Sequence, residues 1–509
     1  MQERVRIDGG PLTRDQVVAV ARGGVGVVLT ESALAGVARA RAHIERLADA
    51  VEPTYGVSTG FGALAVRHIP VERRAALQRS LIRSHAAGAG PEVEPEVVRA
   101  LMLLRLRTLA SGHTGVRQST VESYAGLLNA GILPVVHEYG SLGCSGDLAP
   151  LSAVALALMG EGQVRVGGEL RPAADALAQA GLEPVALAEK EGLALINGTD
   201  GMLGMLALAI TDLRALFDVA DLTAAMSVEA LLGTDRVFAA DLHALRPHPG
   251  QGHSAARMAA YLEGSPIVAS HRGPDCTRVQ DAYSLRCSPQ VHGAARDTVA
   301  YAEIVADREF ASVVDNPVVL ADGRVESNGN FHGAPVAYAL DFLAIPLADV
   351  ASMAERRTDR MLDVARSHGL PPFLAHDPGV DSGHMIAQYT QAAVVAELKR
   401  LAAPASVDSI PSSAMQEDHV SLGWSSARKL RRAVDGLGTV LAIELLTAAR
   451  ALDLRAPLTP APATAAAVAL LRERVPGPGP DRHLAPEIAA AEELVRSGAL
   501  LAAVDGRTA

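Results

Sequence analysis

The sequence Gly143-Cys144-Ser145-Gly146-Asp147-Leu148-Ala149-Pro150 is the stretch around which we expect the rest of the chain to be organised. Two glycines bracket a small nucleophilic pair, so the backbone there can adopt conformations closed to other residues. Asp147 can cap a helix, and Pro150 is compatible only with the first turn of that helix. Residues 151–159 predict a wholly buried helix, which places Ser145 in a tight turn at its N-terminus, directed into the core. Because that helix end carries partial positive charge, the stretch suits an electrophile or an anion.

Taken alone, the stretch has two simpler interpretations. It can be a loop that only begins a helix, since short motifs match by chance. It can also be compared with the nucleophile elbow G-x-S-x-G, in which the serine attacks a substrate. Gly143 fits that pattern, but Asp147 stands where the second glycine is required. The rest of the chain has to decide among these interpretations.

Length and composition favour a large helical protein. The 509 residues exceed one compact core and predict two or more domains or layers. Hydrophobic residues make up 49% of the chain and aromatic residues only 3%, so the apolar mass is Ala, Leu and Val, which suits closely packed helices. No unbroken apolar run approaches the roughly 18 residues of a membrane span, and residues 1–6 lack an apolar signal core. We therefore expect a soluble, cytoplasmic protein.

Charge and metal-ligand patterns narrow the function further. A net charge of −11 and a pI near 5.8 argue against a nucleic-acid partner. The three cysteines are few, odd in number and without metal spacing, which fits a reducing compartment. His243, His248 and His253 could suggest a metal, but the prolines between them break any helical register. We therefore predict no metal site.

The hydrophobic periodicity predicts a mainly α protein with a long central helical bundle and a smaller mixed α+β N-terminal region. We place the mixed region at residues 1–110 and the bundle, with its polar loops, at 111–475. A C-terminal linker and short helices occupy 476–509. Several helices, such as residues 199–232, exceed the usual mean length, which suggests bundle packing and association between subunits.

Polar side chains in the loops between these helices each have a simple structural interpretation. On its own, Tyr55 can be a buried tyrosine with a satisfied hydroxyl, and His85 can be a histidine at a helix C-terminus. Asn197 can be a turn residue, Arg286 the partner of a structural acid, and Glu417 a charge at a helix N-terminus.

Taken together, the same residues also fit the chemistry of one site. Arg286 can bind a substrate carboxylate through its two-pronged guanidinium. Tyr55 and Tyr283 can transfer protons, and His85 with Glu417 can bracket a polar ring. The group still missing is an electrophile, and Ser145, between Cys144 and Gly146, could become one.

At this point the sequence resembles the aromatic amino-acid ammonia-lyase family, and within it the histidine ammonia-lyases. The resemblance covers nearly the whole chain, and its motifs, weak one by one, are very specific in combination. They are residues 55–62 (YGVSTGFG), 84–88 (SHAAG), 143–151 (GCSGDLAPL), 191–198 (EGLALING), 280–286 (QDAYSLR), 329–332 (GNFH) and 416–419 (QEDH).

The resemblance implies a cofactor made from the chain itself. In this family a small-Ser-Gly triad cyclises and loses water to give 4-methylidene-imidazol-5-one (MIO), and here Cys144, Ser145 and Gly146 would form the ring. Gly146 lacks a side chain, so its nitrogen can reach the carbonyl carbon of Cys144. Ser145 would lose its hydroxyl and become the methylidene carbon, with no external cofactor.

The implied reaction is the elimination of ammonia from L-histidine to give trans-urocanate, the first step of histidine degradation. The family roles, transferred position by position, make Tyr55 the base, Tyr283 a second proton-transfer group, Arg286 the carboxylate ligand, Asn197 a contact of the amino group or the cofactor oxygen, His85 and Glu417 the imidazole ligands, Gln280 and Gln416 lining residues, and Phe331 a support for the cofactor. A homotetramer with active sites shared between chains, and the family's helical fold, are implied as well.

Two positions depart from the family pattern. Cys144 begins the triad where alanine is most usual, but only its backbone enters the ring, so we expect the cofactor to form. Ala153 follows Ser152 where a histidine is common, which removes a polar group near the cofactor helix.

The main alternative within the family is a tyrosine ammonia-lyase or 2,3-aminomutase. His85 does not exclude it, but the carboxylate of Glu417 suits an imidazole N–H better than a phenol. A phenylalanine lyase would leave His85 facing a ring with nothing to bond. An inactive helical scaffold would be expected to lack the triad or the carboxylate ligand, and Ser145, Gly146 and Arg286 are all present.

Overall fold

The computed structural model describes residues 4–48, 56, 58–60, 62–273, 276 and 279–505. The protein is mainly α, as predicted. Its first helices are α1 (Arg14–Ala21), α2 (Glu31–Ala48), α3 (Arg74–His85), α4 (Pro95–Leu109), α5 (Gln118–Asn129), α6 (Leu148–Leu158), α7 (Ala173–Gln179), α8 (Glu191–Ile196), α9 (Asp200–Ala230) and α10 (Ala240–Ala244). The later helices are α11 (Pro249–Leu262), α12 (Pro266–Ala269), α13 (Tyr283–Arg286), α14 (Ser288–Ala311), α15 (Ala334–Leu362), α16 (Met385–Leu401), α17 (Gly423–Asp453), α18 (Pro462–Arg472), α19 (Leu484–Ser497) and α20 (Ala499–Asp505).

The chain divides into two compact units, each built from segments distant in sequence. The first unit consists of Met1–Leu208, Glu303–Asp341 and Pro404–Arg428. The second consists of Ala209–Ala302, Phe342–Ala403 and Lys429–Ala509. The consecutive regions 1–110, 111–475 and 476–509 follow linker signals along the chain and stay a prediction.

The first unit holds short strands as well as helices. They are β1 (Val5–Ile7), β2 (Val27–Leu29), β3 (Ala89–Glu92), β4 (Leu133–Pro134), β5 (His137–Tyr139), β6 (Gln163–Val166), β7 (Glu169–Pro172), β8 (Val318–Val319) and β9 (Val325–Glu326). The two N-terminal strands, β1 and β2, pair in parallel, with Val5 opposite Val27. Strands β4 to β9 lie beyond residue 110, in the same compact unit as β1 to β3. The β6–β7 hairpin turns through Gly167 and Gly168, whose φ angles of +58° and +89° suit a tight two-residue turn.

Local sequence explains the helices that position the central stretch. Thr13 and Gln16 form a reciprocal capping box at the start of α1. Pro95 opens α4, where its missing N–H costs nothing, and every residue from 100 to 109 in that helix is buried. The helix α6, predicted from residues 151–159, begins earlier at Leu148 and is largely buried. It packs against α3 and α8, so the residues just before it lie at the inner end of a helical cluster.

The second unit contains a buried ion pair that fixes its long helices. Glu444 and Arg357 are both fully buried and bonded to each other. The carboxylate also accepts hydrogen bonds from Thr223 (2.7 Å) and Ser227 (2.9 Å). The buried carboxylate is therefore paired and hydrogen-bonded, and it links α9, α15 and α17 within the unit.

Two apolar helical stretches have the length and mean hydropathy of a membrane span, Glu191–Ala230 and Ala334–Leu362. The sequence contains no unbroken apolar run of that length. These stretches still reach the mean hydropathy of a span, because an average over a window tolerates interspersed polar residues. The most apolar window of the first stretch is 100% buried inside the fold and that of the second 61%. Burial of this kind is what the core helices of a folded protein show.

Candidate active site

The loop of residues 143–147 is shaped by two glycines. Gly143 and Gly146 have φ angles of +70° and +87°, which confirms that the backbone adopts conformations unfavourable to other residues. A Cβ atom on Gly146 would lie 2.2 Å from the carbonyl oxygen of Gly198 and 2.4 Å from its nitrogen. The next residue, Asp147, donates its backbone N–H to the same Gly198 oxygen at 2.6 Å. The loop is therefore pressed directly against the Asn197–Gly198 turn.

Asp147 does not cap α6, contrary to the sequence prediction. It occupies the position before α6, but its side chain makes no capping bond to that helix. Its Oδ2 instead accepts the N–H groups of Gly201 (2.8 Å) and Met202 (3.0 Å) at the start of α9, and Oδ1 accepts from Ser141. The backbone bond to Gly198 explains this, because it brings residue 147 alongside the first turn of α9. Complete burial raises the pKa of Asp147 to about 7.

Ser145 is half-buried rather than directed wholly into the core, which corrects the sequence prediction. Its neighbour Cys144 is buried, and the thiol donates to Oε2 of Glu417 at 3.2 Å. Burial, assisted by the negative charge of Glu417, raises the pKa of the Cys144 thiol to about 12. The thiol therefore stays protonated and available as a hydrogen-bond donor at neutral pH. This contact joins two motifs separated by more than half of the chain.

The negative charge of Glu417 acts on the imidazole of His85. His85 is the last residue of α3, and its Nδ1 lies 2.9 Å from the carbonyl oxygen of Leu81. Burial lowers the pKa of His85, while that carbonyl and the charge of Glu417 act in the opposite direction. Since a carbonyl oxygen only accepts, this contact assigns the proton to Nδ1 and leaves Nε2 as an acceptor. His85 and Glu417 therefore each offer an acceptor to a ring that carries an N–H group.

Asn197 is buried and has an unused acceptor. Its Nδ2 donates to the carbonyl oxygen of Asn316 at 3.0 Å. Its Oδ1 is buried and has no hydrogen-bond partner in the described part of the chain. A buried unpaired acceptor is costly, so it suits a ligand that brings a donor.

Phe331 and Gln416 lie in loops of the same unit. Phe331 is half-buried, and two residues later Gly333 donates its N–H to the carbonyl oxygen of Gly143 at 3.0 Å. Gln416 is exposed and next to Glu417. The structure therefore brings the 329–333 loop to the triad loop, and the 416–419 loop reaches it through Glu417.

Three predicted residues belong to the second compact unit. Tyr283 and Arg286 are the ends of α13, and the guanidinium carbon lies 4.8 Å from the centroid of the tyrosine ring. Nε of Arg286 is buried without a hydrogen-bond partner among the described residues, and Gln280 is exposed. Among the described residues, no carboxylate pairs with Arg286, so the interpretation of Arg286 as the partner of a structural acid is not supported. An unpaired guanidinium nitrogen is free to meet an anionic ligand.

Tyr55 lies outside the described residues, so its predicted role stays a prediction. The described end of its loop includes Gly62, where a Cβ atom would lie 2.7 Å from the hydroxyl of Ser413. That loop therefore ends beside the segment that carries Glu417. No group of three or more histidine, cysteine or carboxylate side chains within the described ranges could hold a metal ion.

Sequence reasoning missed three residues that organise the site. Ser412 donates to Oε2 of Glu417 (3.3 Å), and Ser421 donates to the carbonyl oxygen of Gly143 (2.7 Å). Arg105, fully buried, donates to the carbonyl oxygen of Asn197 at 2.9 Å. Serine and arginine carry no local signal for such long-range contacts; only the apolar run of residues 100–104 just before Arg105 indicated a buried role.

The chain is similar to known proteins over nearly its whole length. The family model for aromatic amino acid lyases matches residues 12–473. The histidine ammonia-lyase of Streptomyces avermitilis is 66% identical over 496 residues, which are 97% of this chain and 97% of that protein.

Two solved structures are similar as well. The tyrosine aminomutase from Streptomyces globisporus has a TM-score of 0.93 at 38% identity and covers 99% of both chains. The histidine ammonia-lyase from Trypanosoma cruzi has a TM-score of 0.90 at 39% identity and covers 99% of this chain and 95% of that one. Matches of this extent in both sequence and structure make the chain a member of the aromatic amino acid lyase family.

Proposed function

We propose that the protein is a carbon–nitrogen lyase that eliminates ammonia from L-histidine to give trans-urocanate. The observation that carries the proposal is the pair of acceptors formed by His85 and Glu417, which meets the triad loop through Cys144. A neutral imidazole ring carries one N–H donor at its edge, which such an acceptor can bind. The relatives named histidine ammonia-lyase, at 49–66% identity, support the same substrate.

We further propose that Cys144, Ser145 and Gly146 form 4-methylidene-imidazol-5-one. The backbone at Gly146 supports ring formation. A side chain would have no space there, and glycine has no side chain to obstruct its ring-forming nitrogen. Closure of the Gly146 nitrogen on the Cys144 carbonyl carbon and loss of the Ser145 hydroxyl would release two water molecules in all. When present, the group supplies an electrophilic carbon that turns the substrate amine into a leaving group.

The chain's own side chains would bind and orient the substrate. Arg286 would pair with the carboxylate, because its Nε is buried and unpaired within the described chain. Oδ1 of Asn197 would accept from the amino group; we favour this over a contact with the cofactor oxygen because Nδ2 is already bonded to Asn316. Gln280 and Gln416 would line the site, and Phe331 would support the triad loop.

Proton transfer is assigned to the two tyrosines of the family motifs. Tyr55 would remove the proton from the β-carbon, and Tyr283 would act as the second proton-transfer group. The Tyr55→Phe variant tests the first assignment: we expect turnover to fall by about 10²-fold or more while the cofactor still forms. Normal turnover with a formed cofactor would give the role to another residue.

The alternative substrate class is L-tyrosine, since a tyrosine aminomutase has the same fold at 38% identity. We expect urocanate absorbance to rise when the purified protein meets L-histidine, with no aryl acrylate or β-amino acid from L-tyrosine or L-phenylalanine. Product from L-tyrosine alone would move the protein to the alternative class. The absence of product from all three, with a formed ring, would refute the proposal.

We also propose a cytoplasmic homotetramer with active sites shared between chains. Within the second unit, α14 and α15 expose apolar side chains around a groove of about 620 Å³. Tyr301, Phe342 and Ile345 line it and are 45–50% exposed. Large apolar side chains at that exposure mark an association surface. Light scattering coupled to size-exclusion chromatography should give four times the chain mass of 52.8 kDa; a monomer would contradict the proposal.

A further inference from the structure

Glu417 is held through one of its two carboxylate oxygens. Oε2 accepts the Cys144 thiol at 3.2 Å and the Ser412 hydroxyl at 3.3 Å. Neither donor is charged. Oε1 has no hydrogen bond from the side chains or backbone that the structure describes. The two oxygens of one carboxylate are therefore in different environments.

The backbone fixes Glu417 from its other side. Ser412 and Glu417 exchange two backbone hydrogen bonds, of 2.8 and 3.2 Å, which close a short loop. Ser413, Ala414 and Met415 inside the loop have φ angles of +50°, +52° and +72°. Such angles are unfavourable for residues other than glycine and persist only where surrounding contacts impose them. The loop therefore presents the Glu417 side chain to the triad in one arrangement.

The side chain of Cys144 remains free when the triad cyclises. Ring closure uses the carbonyl carbon of Cys144 and the nitrogen of Gly146, so the Cβ–Sγ group is not consumed. A thiol at this position can still donate to Glu417, whereas the alanine that is usual there cannot. The difference gives Cys144 a purpose that its backbone alone does not explain.

We propose that Cys144 and Ser412 are positioning residues that together occupy Oε2 of Glu417 and so direct Oε1 to the imidazole N–H of the substrate. The inference rests on the proposed function, because it deepens the role given there to Glu417. It assigns to the first triad residue a part in substrate recognition that is separate from its part in ring formation. The ligand class is a heteroaromatic amino acid whose ring carries an N–H donor.

Substrate affinity is best measured in a protein that cannot turn over, so the test uses Ser145→Ala as the background. Titration calorimetry of this full-length variant with L-histidine gives the reference Kd. Introducing Cys144→Ala or Ser412→Ala into this background should each raise the Kd about three- to tenfold, the loss expected for one ordinary hydrogen bond. Cys144→Ser, which keeps a donor, should recover most of the affinity.

Controls separate positioning from general damage. Cys276→Ala removes a thiol from the second unit and should leave the Kd unchanged. Melting temperatures of all variants establish that they are folded, and half-buried Ser412 keeps the test valid if the Cys144→Ala protein does not fold. In the cyclising background, intact mass should show that Cys144→Ala still loses two waters, with KM raised and kcat within about threefold.

Two results would count against the inference in distinguishable ways. Unchanged Kd values for both alanine variants, beside measurable binding to the Ser145→Ala protein, would overturn the positioning role and leave the proposed function intact. No binding of L-histidine to a folded Ser145→Ala protein would overturn the proposed substrate, and the positioning role with it.

Discussion

Replacing Gly146 with alanine tests how tightly the triad loop is held. The new Cβ would lie 2.2 Å from the Gly198 oxygen, and real contacts of this kind are at least 3.0 Å, so one of the two backbones must move. Gly198 is itself enclosed, since a Cβ there would meet Asp200 at 2.4 Å and Arg105 at 2.7 Å. The φ angle of +87° adds a cost of about 1–2 kcal/mol for alanine. With about 1–3 kcal/mol from overpacking, we expect a destabilisation of about 2–5 kcal/mol.

The substitution should impair ring formation and turnover as well as stability. A displacement near 1 Å at a reacting atom can cost about 10²-fold in rate. The Gly146 nitrogen is the atom that would close the ring, so we expect most Gly146→Ala chains to keep their encoded mass. Intact mass spectrometry, melting temperature and urocanate production measure the three consequences.

The matched control is Gly252→Ala. Gly252 lies in α11, is exposed, and a Cβ there would meet no atom within 4 Å. Because glycine is unfavourable inside a helix, this change should stabilise the protein by about 0.5–1 kcal/mol and leave turnover unaltered. A Gly146→Ala protein that loses two waters and turns over normally would refute the packing argument.

Three further outcomes follow from the contacts described above. Arg286→Met should lower kcat/KM for L-histidine about 10²-fold by removing the carboxylate ligand, with partial recovery in Arg286→Lys; an unaltered KM would contradict the assignment. Asp147→Ala leaves two buried N–H groups at the start of α9 without an acceptor and should cost about 2–4 kcal/mol in chemical unfolding, against no change if the contacts are incidental. Burial, with nearby arginines, lowers the pKa of His384 from 6.5 to about 3, so the folded protein keeps it neutral. The free energy of unfolding that depends on this neutral histidine is fully present above pH 6.5 and is lost as pH falls towards 3, at about 1.4 kcal/mol per pH unit. The melting temperature of His384→Asn should therefore fall less steeply than that of the natural chain between pH 6.5 and 4.5. Parallel curves of melting temperature against pH would contradict this.

Local signals in the sequence predicted local structure well. The long helix predicted at residues 199–232 depends on neighbouring residues and is confirmed as Asp200–Ala230. The capping box at Thr13 is likewise set by residues within one helical turn. The Gly167-Gly168 hairpin also had a local signal, the paired glycines between two short strands, which the sequence analysis overlooked.

Contacts between residues distant in sequence could not be predicted from local sequence signals. The sequence predicted that Asp147 caps the helix that follows it. Its carboxylate instead accepts a backbone N–H at the start of α9, because the hydrogen bond to Gly198 sets its position. The thiol of Cys144 and the carboxylate of Glu417 are 273 residues apart in sequence. The family motifs named both residues, but nothing in residue type or spacing indicated that they touch. The interleaved segments of the two compact units belong to the same class of long-range information.

We propose that the chain supplies its own electrophile from residues 144–146. Mass spectrometry of the purified, catalytically active protein, followed by peptide mapping across residues 143–147, is the decisive experiment. We expect this peptide to be lighter than its encoded sequence by two water molecules, and Ser145→Ala to abolish both urocanate production and the full mass loss. An active protein whose 143–147 peptide has its encoded mass would refute the proposed electrophile.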